Sequence, residues 1–117
     1  MKIIYKNKKL EKECTSLKTA TQRYGSDVGK ALLKLTNFIE QAENLKDISN
    51  LPQYRLHQLK GDRKNQYTIT ILKSSKYRLI VYPLDENEKI FLSSENERLM
   101  FKKCKIINIV EVSEHYE

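Results

Sequence analysis

The strongest pattern in this sequence is an apolar stripe that repeats with the period of an α-helix. Its members fall at the i, i+3, i+4 and i+7 positions of one helix face: Val28, Ala31, Leu32, Leu35, Phe38, Ile39 and Ala42. Ser26 and Asp27 precede the stripe and are favourable N-terminal caps. A helix of this kind must bury its apolar face against another layer, so the stripe requires a partner element elsewhere in the chain.

A second helical pattern lies before this stripe. Its apolar members are Leu10, Cys14, Leu17 and Tyr24. The pattern stops at Gly25, a typical helix end, and residues 2–5 before it predict a short first strand. After the stripe, residues 44–50 predict a turn or short helical fragment that Pro52 closes. The first half of the chain therefore predicts one strand followed by two main helices.

The second half of the chain reads as β-structure. Four segments rich in β-branched and aromatic residues predict strands at 54–60, 66–72, 77–82 and 104–112. The stretches GDRKN and KSSK are predicted hairpin connections, and residues 83–103 read as a long acidic loop with a turn of helix or a β extension. The sequence thus predicts an α+β fold with two N-terminal helices packed on one face of an antiparallel β-sheet. The other face is expected to be free.

The composition indicates one domain over residues 1–117. Hydrophobic residues make up 39% of the chain and charged residues 32%, which leaves enough apolar side chains to form a core. No run approaches the roughly 18 apolar residues of a membrane span, and MKIIYKNKKL is unlike a signal peptide, so we expect no membrane contact and a cytoplasmic protein. Cys14 and Cys104 lack metal-binding spacing, and we expect no metal, cofactor or disulfide.

Positive charge is concentrated in the middle of the chain. Residues 51–82 carry seven Lys or Arg against one acid, whereas residues 1–50 carry ten against six and residues 83–117 carry five against eight. These basic residues alternate with Tyr54, Tyr67, Tyr77 and Tyr82, a combination that suits phosphate contacts and base stacking on a nucleic acid. The charge fits equally well a solubilising surface or a patch for an acidic protein, and most of the tyrosines are better explained as core area.

The residues LPQYRLHQLKGDRKNQYTI, followed by KYRLIV, carry a more specific pattern. Behind two predicted helices and ahead of a strand ending in EVSEHYE, they resemble the HigB branch of the RelE/ParE toxin superfamily, also labelled plasmid maintenance system killer proteins. The resemblance covers nearly the whole chain. It implies a small domain of helices on an antiparallel sheet, ribosome-dependent cleavage of messenger RNA, and a cognate helix-turn-helix antitoxin of the HigA type.

The resemblance also implies a set of site residues. The family's YRLH histidine falls on His57, its LKG lysine on Lys60 and its strand arginine on Arg78. Relatives end in Asp-Tyr-His, whereas this chain has the same kinds of group in a changed order, so His115 is the fourth predicted catalytic residue. Two neighbours are further candidates, Glu114 and Tyr116. The predicted RNA contacts are Arg55, Arg63, Lys64, Lys73 and Lys76.

These residue types suit cleavage of RNA without a metal. A ribose 2′-hydroxyl loses a proton as it attacks phosphorus, the 5′-oxygen gains one as it leaves, and the phosphorane between them gathers negative charge. Histidine exchanges protons near neutral pH, so His57 and His115 are the predicted acid–base pair. Lys60 and Arg78 are the predicted phosphate stabilisers. The alternative for these two cations is a solvated sheet face or an ion pair with the acidic segment 83–103.

Two other functions fit the same sequence. A toxin of the ParE branch inhibits DNA gyrase by binding, and in such a protein the two histidines would be incidental. A basic regulatory or binding protein without toxicity is the third hypothesis. The fold does not separate these hypotheses, because one scaffold hosts different activities.

Overall fold

A computed structural model describes residues 1–92 and 96–114, which form five α-helices and five β-strands. The helices are α1 (Lys8–Thr15), α2 (Leu17–Tyr24), α3 (Ser26–Gln41), α4 (Leu45–Ser49) and α5 (Glu97–Lys103). The strands are β1 (Lys2–Tyr5), β2 (His57–Gln58), β3 (Tyr67–Thr70), β4 (Arg78–Leu84) and β5 (Ile106–Ser113). Single 3-10 turns occur at Pro52–Tyr54 and Gly61–Arg63. The predicted α+β class is confirmed.

The predicted first helix is in fact two helices, α1 and α2. Ser16 separates them with an extended backbone, at φ −113° and ψ 116°. Its amide donates to the Lys12 carbonyl and so ends α1, while its Oγ accepts from the Thr19 amide at 3.3 Å and begins α2. Serine favours such helix caps because its hydroxyl replaces a missing backbone partner. Three helices, rather than two, therefore precede the turn at α4.

Helix α3 confirms the apolar stripe but not its predicted caps. The N-cap is Gly25, at φ 92°, and no side chain caps the helix. Ser26 and Asp27 lie inside the first turn instead. Glycine adopts this positive φ without the penalty of a Cβ, which allows α3 to begin directly where α2 ends. The carboxylate of Asp27 still suits the positive end of the helix dipole.

The five strands form one sheet in the order β1-β5-β4-β3-β2. Neighbours among β2, β3, β4 and β5 run antiparallel, but β1 runs parallel to β5. The sheet is therefore mixed, and the prediction of a purely antiparallel sheet is wrong. Four helices separate β1 from the other strands, so no short turn forces β1 to run antiparallel to its neighbour.

One face of the sheet shares a hydrophobic core with the helices. The buried strand residues of this face include Ile69, Leu79, Val81, Ile107 and Ile109, and the same cluster contains Leu32, Leu35 and Ile39 of α3. The sequence predicted that the opposite face would be free. This prediction is wrong, because Thr68, Ile80 and Ser113 are buried on that face. The Arg63 side chain, from the connection between β2 and β3, reaches across that opposite face to Glu111 of β5.

A β-bulge in β5 decides which of its side chains face the helices. Ile109 is opposite Val81, but Glu111 is opposite Ile80, which leaves Val110 as an extra residue. Strict alternation along the strand would send Glu111 into the core together with Ile109. The bulge turns Glu111 to the opposite face of the sheet.

The acidic segment 83–103 is more regular than the sequence predicted. Its first two residues belong to β4, a single bridge joins Leu84 to Ile90, and its last seven residues form α5. The Tyr67 hydroxyl donates to Glu97 Oε2 at 2.6 Å and thereby ties α5 to β3. Burial, followed by this bond to the carboxylate, raises the pKa of Tyr67 above its usual value.

Among the described residues, α3 is the longest helix at 16 residues, and none is long and apolar enough to span a bilayer. A membrane-spanning helix needs about 20 mostly apolar residues.

We expect Gly29→Ala to destabilise the protein, although alanine normally stabilises a helix interior. A Cβ on Gly29 would lie 2.9 Å from the Thr21 backbone nitrogen and 3.0 Å from its Cα, so α2 and α3 would have to separate. Overpacking outweighs the gain in helix propensity, and we expect a net loss of about 1–2 kcal/mol in the free energy of unfolding. Urea denaturation measures it.

The matched control is Asn37→Ala, at an exposed position of the same helix. Helix propensity should raise its free energy of unfolding by a few tenths of a kcal/mol. Equal stability of the two variants would contradict the close approach of α2 and α3.

The two buried thiols predict a loss of stability at alkaline pH. Burial raises the pKa of Cys14 to about 12 and that of Cys104 to about 11, against about 8.5 in an unfolded chain. Between these values the unfolded thiols ionise while the folded ones keep their protons, so stability falls as the pH rises from about 9 to 11. The fall should reach about 1.4 kcal/mol per pH unit for each thiol.

Urea denaturation at pH 8, 9.5 and 10.5 measures this dependence. The double variant Cys14→Ala, Cys104→Ala should show a shallower decline, because it lacks the two ionising thiols. Parallel declines in the two proteins would show that the thiols do not contribute.

Candidate functional site

His57 lies on the short edge strand β2, opposite Thr68 of β3. Its Nδ1 is 2.9 Å from the carbonyl oxygen of Arg55. A carbonyl only accepts, so this hydrogen bond places a proton on Nδ1. In the neutral ring, Nε2 is then the nitrogen that carries the lone pair.

The backbone of Arg55 explains how this carbonyl reaches the ring. Arg55 ends the turn Pro52–Tyr54 in the left-handed region, at φ 43° and ψ 50°. A residue with a Cβ adopts this conformation at a cost of about 1–2 kcal/mol, and such strain is common next to functional side chains. The reversal of the chain at Arg55 brings its carbonyl against the residue two positions later. The Arg55 side chain itself is exposed.

Arg78 is the first residue of β4, and its side chain folds back onto the β3–β4 connection. Its Nη1 donates to the carbonyl oxygens of Ser75 and Tyr77, both at 3.0 Å. Among the described residues, the Arg78 guanidinium forms no ion pair with the acidic segment, which the sequence had offered as an alternative. Its Nε is buried and has no hydrogen-bond partner among the described residues.

The strand register brings His57 and Arg78 to the same face of the sheet, which we call the site face. Residues opposite one another in a sheet share a face. One row across the site face is His57, Thr68, Ile80 and Glu111, and the next row is Thr70, Arg78 and Ser113. His57 and Arg78 thus lie in adjacent rows, on the face opposite the helices.

Unsatisfied polar atoms also concentrate on the site face. Within residues 1–92 and 96–114, four buried side-chain atoms lack a hydrogen-bond partner, and three of these are on the site face: Thr68 Oγ1, Arg78 Nε and Asn108 Oδ1. Native proteins leave few buried polar groups unpaired, and each one that remains calls for an explanation, such as a catalytic role or a bound water or ion. The site face therefore concentrates the unpaired buried polar atoms of the described fold.

Arg63 is held by an acid that the sequence did not predict as a site residue. Its Nη1 and Nη2 donate to Glu111 Oε1 at 3.2 and 3.3 Å. Both side chains are partly exposed, at 32% for Arg63 and 40% for Glu111. Sequence alternation would have placed Glu111 on the core side, and only the bulge at Val110 brings it to the site face.

The predicted lysines lie around this face at exposed positions. Lys60 precedes the turn Gly61–Arg63, and its side chain makes no hydrogen bond or ion pair with the described residues. Lys64 follows the same turn, and its carbonyl accepts a hydrogen bond from the Gln58 side chain. Lys73 and Lys76 are exposed on the β3–β4 connection, the segment that Arg78 binds through the Ser75 carbonyl. The structure therefore brings Arg78 close to the connection that carries Lys73 and Lys76.

The C-terminal candidates are described only in part. Glu114 is exposed and follows Ser113, which lies opposite Arg78. His115 and Tyr116 lie outside the described residues. The pairing of His57 with His115 stays a prediction.

The tyrosines of the basic segment act mainly as core residues. Tyr54 and Tyr67 are buried in the hydrophobic cluster, where their rings pack against Phe38 and Phe101. Tyr77 and Tyr82 are half-buried, and Tyr77 packs edge-on against the ring of Tyr24 at 5.1 Å. Core packing is thereby confirmed for Tyr54 and Tyr67.

The surface depression next to the site face is smaller than one elsewhere on the protein. A depression of about 470 Å³ is lined by Lys46, Ser49, Asn50, Glu97, Arg98, Phe101 and Lys102, none of them a predicted site residue. A smaller one of about 240 Å³ lies at the end of β5 and is lined by Arg23, Tyr24, Tyr77, Glu111, Val112, Ser113 and Glu114. The smaller depression adjoins the site face through Glu111 and Ser113. We favour the site face because it carries the titratable and cationic groups.

We expect the imidazole of His57 to carry its neutral-state proton on Nδ1. The Arg55 carbonyl accepts from that nitrogen and thereby selects the tautomer. Two-bond ¹H–¹⁵N correlation spectra at alkaline pH identify the protonated nitrogen, and His57→Gln assigns the signals by removing them. A proton on Nε2 would contradict the hydrogen bond to Arg55.

Comparison with known proteins assigns no function to this face. No protein-family model matches the chain, and no curated protein matches it. A function is therefore inferred from the geometry of the site face and from the sequence pattern around His57.

Proposed function

We propose that this chain is a toxin of a type II toxin–antitoxin system, an endoribonuclease that cleaves messenger RNA on the ribosome and so inhibits translation. The observation that carries the proposal is the presence of His57 and Arg78 in adjacent rows of one sheet face, where Arg78 Nε and the neighbouring Thr68 Oγ1 are buried without a hydrogen-bond partner among the described residues. The pattern LPQYRLHQLKGD with KYRLI, which resembles HigB toxins, points in the same direction.

The proposed reaction is an intramolecular transfer of the phosphoryl group from the 5′-oxygen to the neighbouring 2′-oxygen of the RNA. The 2′-oxygen forms a bond to phosphorus as the bond to the 5′-oxygen breaks, which yields a cyclic phosphate and a free 5′-hydroxyl. The base takes the 2′-hydroxyl proton, and the acid gives a proton to the departing oxygen. His57 Nε2 serves as one of these two groups, and His115 is proposed as the other.

Arg78 is proposed to stabilise the charge that develops on the phosphorane. Two carbonyls hold Nη1 and fix the plane of the guanidinium, while the buried Nε lacks a partner among the described residues. A fixed donor surrounded by protein stabilises developing charge better than a mobile one in water. Lys60 is proposed to contribute a second positive charge at the phosphate.

The remaining basic residues are proposed to hold the RNA. Arg55, Lys64, Lys73 and Lys76 are exposed around the site face, where they are available for phosphate contacts. Tyr54 and Tyr67 are unsuited to base stacking, because they are buried. The proposed function further implies a cytoplasmic protein with a helix-turn-helix antitoxin as its partner.

We expect His57→Ala to abolish growth arrest and to slow messenger RNA cleavage by about 10²–10⁴-fold. Arg78→Ala should cause a loss of similar order, because a charged donor disappears from the phosphate. The measurement is induction of the protein, followed by mapping of messenger RNA 5′ ends on translating ribosomes.

The control is Tyr54→Phe, which removes a hydroxyl from a buried ring next to Phe38 and should leave cleavage unchanged. Cleavage that persists in His57→Ala would refute the proposed role of the histidine. Intact messages together with trapped gyrase complexes would instead identify a ParE-type activity.

A further inference from the structure

The ion pair between Arg63 and Glu111 joins two distant parts of the chain across the site face. The two residues are 48 positions apart, and two guanidinium nitrogens converge on one carboxylate oxygen. Nη1 of Arg63 also donates to Gln66 Oε1 at 3.2 Å, within the same hairpin. The guanidinium thus binds the hairpin connection and the last strand at the same time.

The sheet order shows how far this contact reaches. Arg63 belongs to the connection between β2 and β3, whereas Glu111 belongs to β5, and β4 lies between β3 and β5. Two strand spacings, roughly 10 Å, separate Thr68 from Glu111 in their shared row. The connection 59–66 must therefore fold toward β5 over the site face, which helps to explain why Thr68 and Ile80 are fully buried there.

The strand that carries His57 is short and lies at the edge of the sheet. β2 consists of His57 and Gln58 alone, and the bonds from the Gln58 side chain to the Lys64 carbonyl and from the Leu59 amide to the Gln66 carbonyl tie it to the connection 59–66. A two-residue edge strand is weakly held by its ladder, since few backbone bonds define it. The connection that follows β2 is anchored to β5 through Arg63.

We propose that the Arg63–Glu111 ion pair positions His57 by holding the connection 59–66 over the site face. The expected effect of this ion pair on catalysis rests on the proposed function. Arg63 is then a positioning residue rather than a direct contact to RNA, and Glu111 belongs to the site although it does not touch the substrate. Both side chains are only partly exposed, so water screens the pair less than it would a fully exposed one.

The test is a cycle of three variants, Arg63→Gln, Glu111→Gln and the double variant. Each single variant should lower kcat for messenger RNA cleavage by about 10- to 100-fold with KM changed less than about threefold, because a displaced catalytic group reacts slowly without weaker binding. The double variant should be no slower than either single variant, since both remove the same interaction. Loss of a direct RNA contact at Arg63 would instead raise KM and leave Glu111→Gln active, which would overturn the proposal.

Two readouts test the ion pair without any enzymatic activity. In both single variants we expect faster hydrogen exchange at the Leu59 amide and a changed His57 imidazole spectrum. The matched control is Glu88→Gln, which breaks the exposed ion pair between Lys2 and Glu88 and should alter neither readout. Wild-type exchange and a wild-type His57 spectrum in Arg63→Gln and Glu111→Gln would refute the positioning role.

Failure of the proposed function gives a different result. If the wild-type protein cleaves no messenger RNA while the His57 spectrum still responds to both single variants, the ion pair positions His57 but the endoribonuclease proposal is wrong. If the wild-type protein cleaves RNA and the losses of the two single variants add in the double variant, the two residues act independently and the positioning proposal is wrong.

Discussion

The fold depends on the insertion of β5 between β1 and β4. This strand pairs with the first strand on one side and with the hairpins on the other, so it joins the two halves of the chain into one sheet. Its Ile107 and Ile109 are fully buried and pack in the same cluster as α3. Loss of β5 pairing would separate β1 from the rest of the sheet and remove Glu111 from Arg63.

Much of the fold follows from local sequence patterns. The α3 stripe and the bounds of β1 were predicted because helical period and β-branched content act over a few residues. The parallel pairing of β1 could not be predicted, because it depends on contacts about 100 residues apart. The break between α1 and α2 at Ser16 was missed because the apolar pattern continues across it. The main local signal for the break is the Ser16 hydroxyl, which caps α2 by accepting from the Thr19 amide.

The sequence motif named His57 and Arg78 as candidates, and the structure places both on one face of the sheet, which strand alternation is sufficient to explain. Their catalytic role stays a prediction. Glu111 was not predicted as a site residue. Regular strand alternation from Ile109 would place its side chain on the face of the sheet that packs against the helices. The left-handed backbone of Arg55 was also hidden, since arginine carries no sequence signal for a positive φ.

The bulge at Val110 has a consequence for comparing this chain with any other protein. Residues before and after Val110 follow opposite in–out alternation, so a protein with the same sheet but no bulge would match both halves of β5 only if a one-residue gap were placed inside the strand. An ungapped match would pair Glu111 with a core residue. Two proteins can therefore share the geometry of this face while their last strands look unrelated in sequence.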